Sequence, residues 1–296
     1  MLERSGIVKR NLPVSPKQVV GYSWHSTLTT PRPRPFPRRR TERRDVTIAA
    51  GFRCNEGVVI CADTEITIGD IRQHEGKITT SIYEGLSHIV SFAGAGWTDY
   101  IRTAIENAQE GLSECSGMKE IRAHLKEKLI QFFEGHLANW AYFPAAERPF
   151  VELLVGVTTK DGSFDLFYSS GTSFYSTWGK AIGSGIILAN NLISEYRYGN
   201  ESLDELCRLA VFIISRVKDQ VIGCGGQTHL VALRKVADFA FVEDNDVERL
   251  ESEIKKISKD AHTKFVEAIN QCHPLRLLWL RKVSEDESKS GPSTEP

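Results

Sequence analysis

Three residues near the start of the folded part of this chain could do chemistry together. They are Thr47, at the head of a β-run, Asp63, at the close of the next, and Lys77, before a third. A Thr hydroxyl is a poor nucleophile until a base takes its proton. A Thr at a chain's N-terminus can use its own α-amine, whose pKa near ~7.7–8.0 suits neutral pH. A neighbouring Lys would favour the alkoxide, and a carboxylate would hold that Lys by a charge-assisted hydrogen bond. Taken singly, each has a plainer use: a β-branched strand residue, a turn residue and a solvated charge.

The elements that must position them are short strands. Thr47 to Cys54 and Gly57 to Ala62 flank Asn55-Glu56-Gly57 and predict a hairpin. Ile78 to Ala93 carries two β-runs broken at Glu84-Gly85, followed by Gly94-Ala95-Gly96. Helical spacing of Tyr100, Ile101, Ala104, Ile105 and Ala108 predicts a helix over 98–112, and an apolar stripe predicts another over 119–140. A second hairpin is expected about Lys160-Asp161-Gly162, with a third pair of strands around Gly171-Thr172. Gly183-Ser184-Gly185 then breaks to a helix over 186–198. Ser202 and Glu205 form a capping box for a further helix to about Lys218. Strands over 227–234 and 239–242 and a charged helix over 247–271 complete the pattern. Strands, two helices, strands, two helices and strands predict an α+β fold, two antiparallel sheets face to face with helices outside.

The run Val46 to Lys77 resembles the opening of a proteasome β subunit or its bacterial relative HslV, and Ala62-Asp63-Thr64-Glu65-Ile66-Thr67 is similar to that family's A-D-[ST]-R-x-T run. The resemblance extends to about Val242. It implies the four-layer αββα sandwich of N-terminal nucleophile hydrolases. It also implies Thr47 as nucleophile, with Asp63 and Lys77 as its supporting pair. Ser184 of the G-S-G turn and Asp219 ahead of Cys224-Gly225-Gly226 match residues close to the amine, although Cys224 replaces a Ser and two extra residues intervene. Gly94 matches the oxyanion donor, and Phe92, Gly96 and Thr67 match substrate-binding positions. Glu65 and Glu75 border the family's substrate pocket, where they either favour a basic side chain or are simply solvated. Each of these also has an ordinary structural reading: a common turn, a helix-end residue, a buried filler.

The resemblance further implies a threonine-type endopeptidase acting on peptides or unfolded protein in a homo-oligomeric ring, with an unfoldase ATPase as a partner. The alternative is a non-catalytic subunit of the same fold. No cofactor and no metal are implied.

Composition sets the bounds. The 296 residues are 41% hydrophobic and 25% charged, ordinary for a soluble globular protein. No apolar run approaches the ~20 residues needed to cross a bilayer. Six Cys are scattered without a C-x-x-C pair, as expected of reduced cysteines in a cytoplasmic protein. Residues 1–45 hold eleven Lys/Arg against three Asp/Glu and six of the eleven Pro, so they read as a basic disordered arm. A cleaved propeptide and a mis-assigned start, with Val46 as a GTG codon, are the other readings. The expected domain spans 46–243, with a helical extension over 244–283 and a disordered tail over 284–296. Charge on the arm alone is a weak basis for nucleic-acid binding, which is not expected, and neither is membrane binding.

Overall fold

The computed structural model describes residues 47–68, 71–83, 88–144, 148–197, 199–235 and 237–270, without the side chains of 67–68, 71–72, 262 and 265–270. The arm over 1–45, the Glu84-Gly85 break, the segment beyond 270 and the Thr67 side chain lie outside the described residues.

The first sheet has the strand order β10-β1-β2-β11-β12. Its members are β1 (Ile48–Arg53), β2 (Gly57–Asp63), β10 (Gly179–Gly183), β11 (Thr228–Arg234) and β12 (Asp238–Phe241). The second has the order β5-β6-β7-β8-β9. It comprises β5 (Ile78–Tyr83), β6 (His88–Gly96), β7 (Val151–Thr159), β8 (Phe164–Ser170) and β9 (Ser173–Ser176). All pairings are antiparallel.

Alternation along the strands sorts the core into three layers. Ala49, Ile60, Ala93, Leu154 and Val231 pack between the two sheets. On the outer face of the second sheet, Val90, Phe92 and Val155 meet α1 (Thr98–Gln109) and α2 (Met118–Phe132). On the outer face of the first, Ala50, Phe52 and Cys61 meet α3 (Ile186–Tyr196), α4 (Leu203–Gln220) and α5 (Asp244–Asn270). This is the αββα sandwich expected from the order of elements.

Local chemistry sets several boundaries. Ser202 accepts from the Glu205 amide and Glu205 reaches back to the Ser202 amide, so the capping box that starts α4 is formed. The expected helix over 119–140 is regular only to Phe132; it widens over Phe133–Leu137 and tightens over Ala138–Tyr142. Gly135 weakens the helix there, and the Trp140 ring packs at a tilt against Trp97 and Phe143. A small hairpin of β3 (Glu65–Ile68) and β4 (Ile71–His74) was not expected. No helix among the described residues is long and apolar enough to cross a membrane.

Candidate active site

Thr47 immediately precedes β1 and is buried. Its carbonyl accepts from the Ser184 amide at 2.8 Å, which ties it to the turn between β10 and α3. Gly183 in that turn has φ +94°, and a Cβ there would lie 2.3 Å from the Thr47 carbonyl oxygen. Only glycine lets the chain pass so close in that conformation.

Asp63 ends β2 with no exposed surface. Four donors converge on its carboxylate. Oδ1 accepts from the Ile48 amide at 3.1 Å, the Thr47 hydroxyl at 3.3 Å and Lys77 Nζ at 2.6 Å. Oδ2 accepts from the Gly225 amide at 2.9 Å. Lys77, just before β5, also donates to the Glu65 carbonyl at 2.5 Å, so its ammonium is held from two sides. Thr47 and Lys77 share one carboxylate oxygen, which sets the hydroxyl and the ammonium side by side.

A cavity of about 240 Å³ opens beside this cluster, bounded by Thr47, Lys77, Gly94 and Gly96 on one side and by α1 on the other. Ile66, Ile101 and Ile105 give it apolar walls, and Glu75, Arg102 and Glu106 supply charge. Gly94 faces α1 so closely that a Cβ would meet Ile101 at 2.4 Å. The pairing of β5 with β6 begins at Ile78 opposite Ala93, so Gly94 to Gly96 have no strand partner on that side among the described residues. An extended peptide could lie along such an edge.

The structure separates the remaining sequence-expected residues. Glu75 does line the cavity, 3.4 Å from Arg102. Glu65 does not: neighbouring strand residues point to opposite faces, and since Ile66 faces the cavity, Glu65 is buried against Gly225. Phe92 shares the face of Gly94 but lies deeper, fully buried under the helices, and does not line the cavity. Asp219 is not brought to Thr47. It sits on the outer side of α4, 3.8 Å from Lys255 of α5. The two extra residues before Cys224 accompany an α4 that runs on to Gln220. Ser184 reaches Thr47 through its backbone amide, with its side chain exposed.

Cys224 is buried in the cluster. Burial first, then the charges of Asp63 and Glu65, push its thiol up to about 12 against the lowering effects of Lys77 and the Gly185 amide. It is therefore a neutral thiol at physiological pH. Sequence reasoning missed Arg102 and Glu106. Their signal was present: Thr98, Arg102 and Glu106 recur every fourth residue beside the apolar stripe of α1. The Gly225 amide was beyond reach, because a backbone donor leaves no mark in residue type. Among the described residues, no group of three or more His, Cys, Asp or Glu is placed to hold a metal ion.

The model for the proteasome subunit family matches residues 46–233. No curated protein matches the chain in sequence. Among solved structures, Anbu (ancestral beta-subunit) from Yersinia bercovieri is 14% identical with a TM-score of 0.60, covering 78% of this chain and 100% of its own. A Gly-1 mutant of Anbu from Hyphomicrobium sp. strain MC1 is 16% identical with a TM-score of 0.60, over 74% and 99%. The helical assembly of the Anbu complex from Pseudomonas aeruginosa gives 14% and 0.62, over 78% and 99%. These likenesses bear on the fold, and the family match covers the whole stretch that carries Thr47, Asp63 and Lys77. The chain belongs to the proteasome subunit family.

Proposed function

We propose that this chain is a threonine-type endopeptidase that cleaves peptides with Thr47 as nucleophile, once the Thr47 amine is free. The observation that carries the reading is the meeting of the Thr47 hydroxyl and Lys77 Nζ on Asp63 Oδ1 at the wall of the cavity.

The Thr47 amine takes the hydroxyl proton as Oγ1 attacks the carbonyl carbon of the peptide bond. The Lys77 charge favours the developing alkoxide. The oxyanion gathers beside the open edge of β6, where the Gly94 amide is the proposed donor. The amine passes its proton to the departing peptide amine, which leaves an ester on Thr47. Water then attacks the ester, the amine takes and returns a proton, and the new carboxylate departs. Neither a cofactor nor a metal has a step in this sequence.

The cavity beside Thr47 would take the side chain preceding the cut. Isoleucine walls suit an aliphatic stem, and Glu75 and Glu106 suit a cationic tip, so Lys and Arg are the proposed preference. The ancestral beta-subunits it resembles include one solved as a helical assembly. We extend that to this chain as an assembly of like subunits, a ring in the simplest case, acting on unfolded protein in the cytoplasm with an unfoldase. Hydrolysis of fluorogenic peptides by the purified protein, lost in Thr47→Ala, tests the reading. Equal rates in both would reject it.

A further inference from the structure

We propose that α5, which begins at Asp244 beyond the matched family region, holds the loop that fixes Asp63, and that Glu251 is the positioning residue through which it acts. Asp63 Oδ2 has one described partner, the Gly225 amide. Gly225 lies in the connection from α4 to β11, a stretch with glycines at 223, 225 and 226, of which Gly223 and Gly226 have positive φ. Glycines leave a loop the most freedom to lose on ordering. The Glu65 amide donates to the Gly225 carbonyl at 3.1 Å, and Gln227 exchanges bonds with Thr64 through both its amide and its carbonyl, so the middle of the loop is tied to the residues beside Asp63. Its two ends still need a hold if the Gly225 amide is to stay on the carboxylate.

Glu251 grips the loop at both ends. Its Oε1 accepts from Lys218 Nζ at 2.7 Å, in the last turn of α4, and from the Thr228 hydroxyl at 2.6 Å, at the first residue of β11. Lys218 and Thr228 also bond each other at 3.0 Å. The pair is largely shielded, with side-chain exposures of 10% for Lys218 and 13% for Glu251, so solvent screens it little. Thr228 lies directly opposite Asp63 in the pairing of β11 with β2. The same side of α5 makes two weaker contacts with this region, Glu248 to Gln227 at 3.4 Å and Lys255 to Asp219 at 3.8 Å. Glu248, Glu251 and Lys255 recur at helical spacing, beside the apolar positions Val247, Leu250 and Ile254 that pack α5 on the sheet. The apolar side attaches the helix, and the polar side clasps the loop.

The loop's hold on Asp63 does not depend on the chemistry proposed above; the expected loss of rate rests on it. The full-length protein is compared as wild type, Glu251→Gln, Thr228→Val and, as a control, Arg249→Ala, whose side chain is 71% exposed. In the first two variants amide exchange at Gly225 should quicken about tenfold while Val90 and Leu153 in the other sheet exchange as before. Peptide kcat should fall about tenfold with KM held within about twofold, because Lys77 is loosened and the cavity is not. The control should match wild type in both. Unchanged exchange at Gly225 would overturn the proposal, as would unchanged kcat when Gly225 exchanges faster. Exchange quickened throughout, or variants too unstable to purify, would also overturn it, since Glu251 would then support the fold at large. A wild type with no peptidase activity would overturn the proposed function instead, and exchange at Gly225 would then decide the clasp.

Discussion

Lys77 and Asp63 meet at 2.6 Å with side-chain exposures of only 8% and 0%, so the ion pair beside Thr47 is almost closed to water. Breaking such a pair from one side leaves a buried charge and typically costs ~3–5 kcal/mol. Here the loss is softened, because the Ile48 and Gly225 amides and the Thr47 hydroxyl still donate to Asp63.

Lys77→Ala should therefore lower peptide kcat by at least about 10²-fold while the chain still folds with a reduced Tm. Steady-state kinetics and thermal unfolding on one preparation check both. Activity within a few-fold of wild type would remove Lys77 from the mechanism.

The turn that carries Thr47 should not accept a side chain. Gly183→Ala places a Cβ against the Thr47 carbonyl in a left-handed backbone, so we expect a loss of about 1–3 kcal/mol in unfolding free energy and a matching fall in activity. Denaturant unfolding measures the first. A variant as stable as wild type would mean that the turn can move away from Thr47.

Much of this fold was legible in the sequence, and for physical reasons. Period-two runs split by Asn-Glu-Gly and Lys-Asp-Gly turns mark the hairpins, and Ser202 with Glu205 marks the start of α4. The β3–β4 hairpin was not, since four-residue strands leave too short a pattern to count. Residue type and place at the ends of β-runs made Asp63 and Lys77 candidates, but only the resemblance joined them to Thr47: nothing in a 14-residue separation says that two side chains meet. Glu65 and Phe92 show the limit from the other side. A motif fixes a residue's place on a strand, whereas the side it faces and how deeply helices cover it are tertiary facts.

The charged wall of the cavity should govern the choice of peptide. We expect Arg or Lys at the cleaved bond to be favoured over Asp or Glu, and Glu106→Gln or Glu75→Gln to cut that preference by about 3- to 10-fold, modest because the cavity is open to water. Arg102→Ala should strengthen it by freeing Glu75. Rates on matched peptides measure this, and no dependence on that residue's charge would mean that these carboxylates serve only the surface.

Cys224 should resist alkylation. With its thiol raised to about 12, the thiolate is scarce at pH 8, and the side chain is buried besides. Because the folded value exceeds the usual 9.0, this thiol favours the folded state below pH 9, and that contribution fades as pH climbs toward 12. Mass mapping after iodoacetamide should show Cys224 unmodified in the folded protein and modified in denaturant. Rapid labelling of the folded protein would contradict its placement.

In the proposed mechanism the amine of Thr47 is the base, and two shortened chains test this most directly. One begins Met-Thr47 and loses its Met to aminopeptidase, which exposes Thr47; the other begins Met-Val46 and keeps Val46 ahead of the hydroxyl. Both lack residues 1–45 and retain Asp63, Lys77 and the cavity. With each N-terminus read by mass spectrometry, the first should hydrolyse peptides and the second should be inert, because an amine tied into a peptide bond is not a base. Equal activity of the two would contradict that role for the amine, and with it Thr47 as the nucleophile.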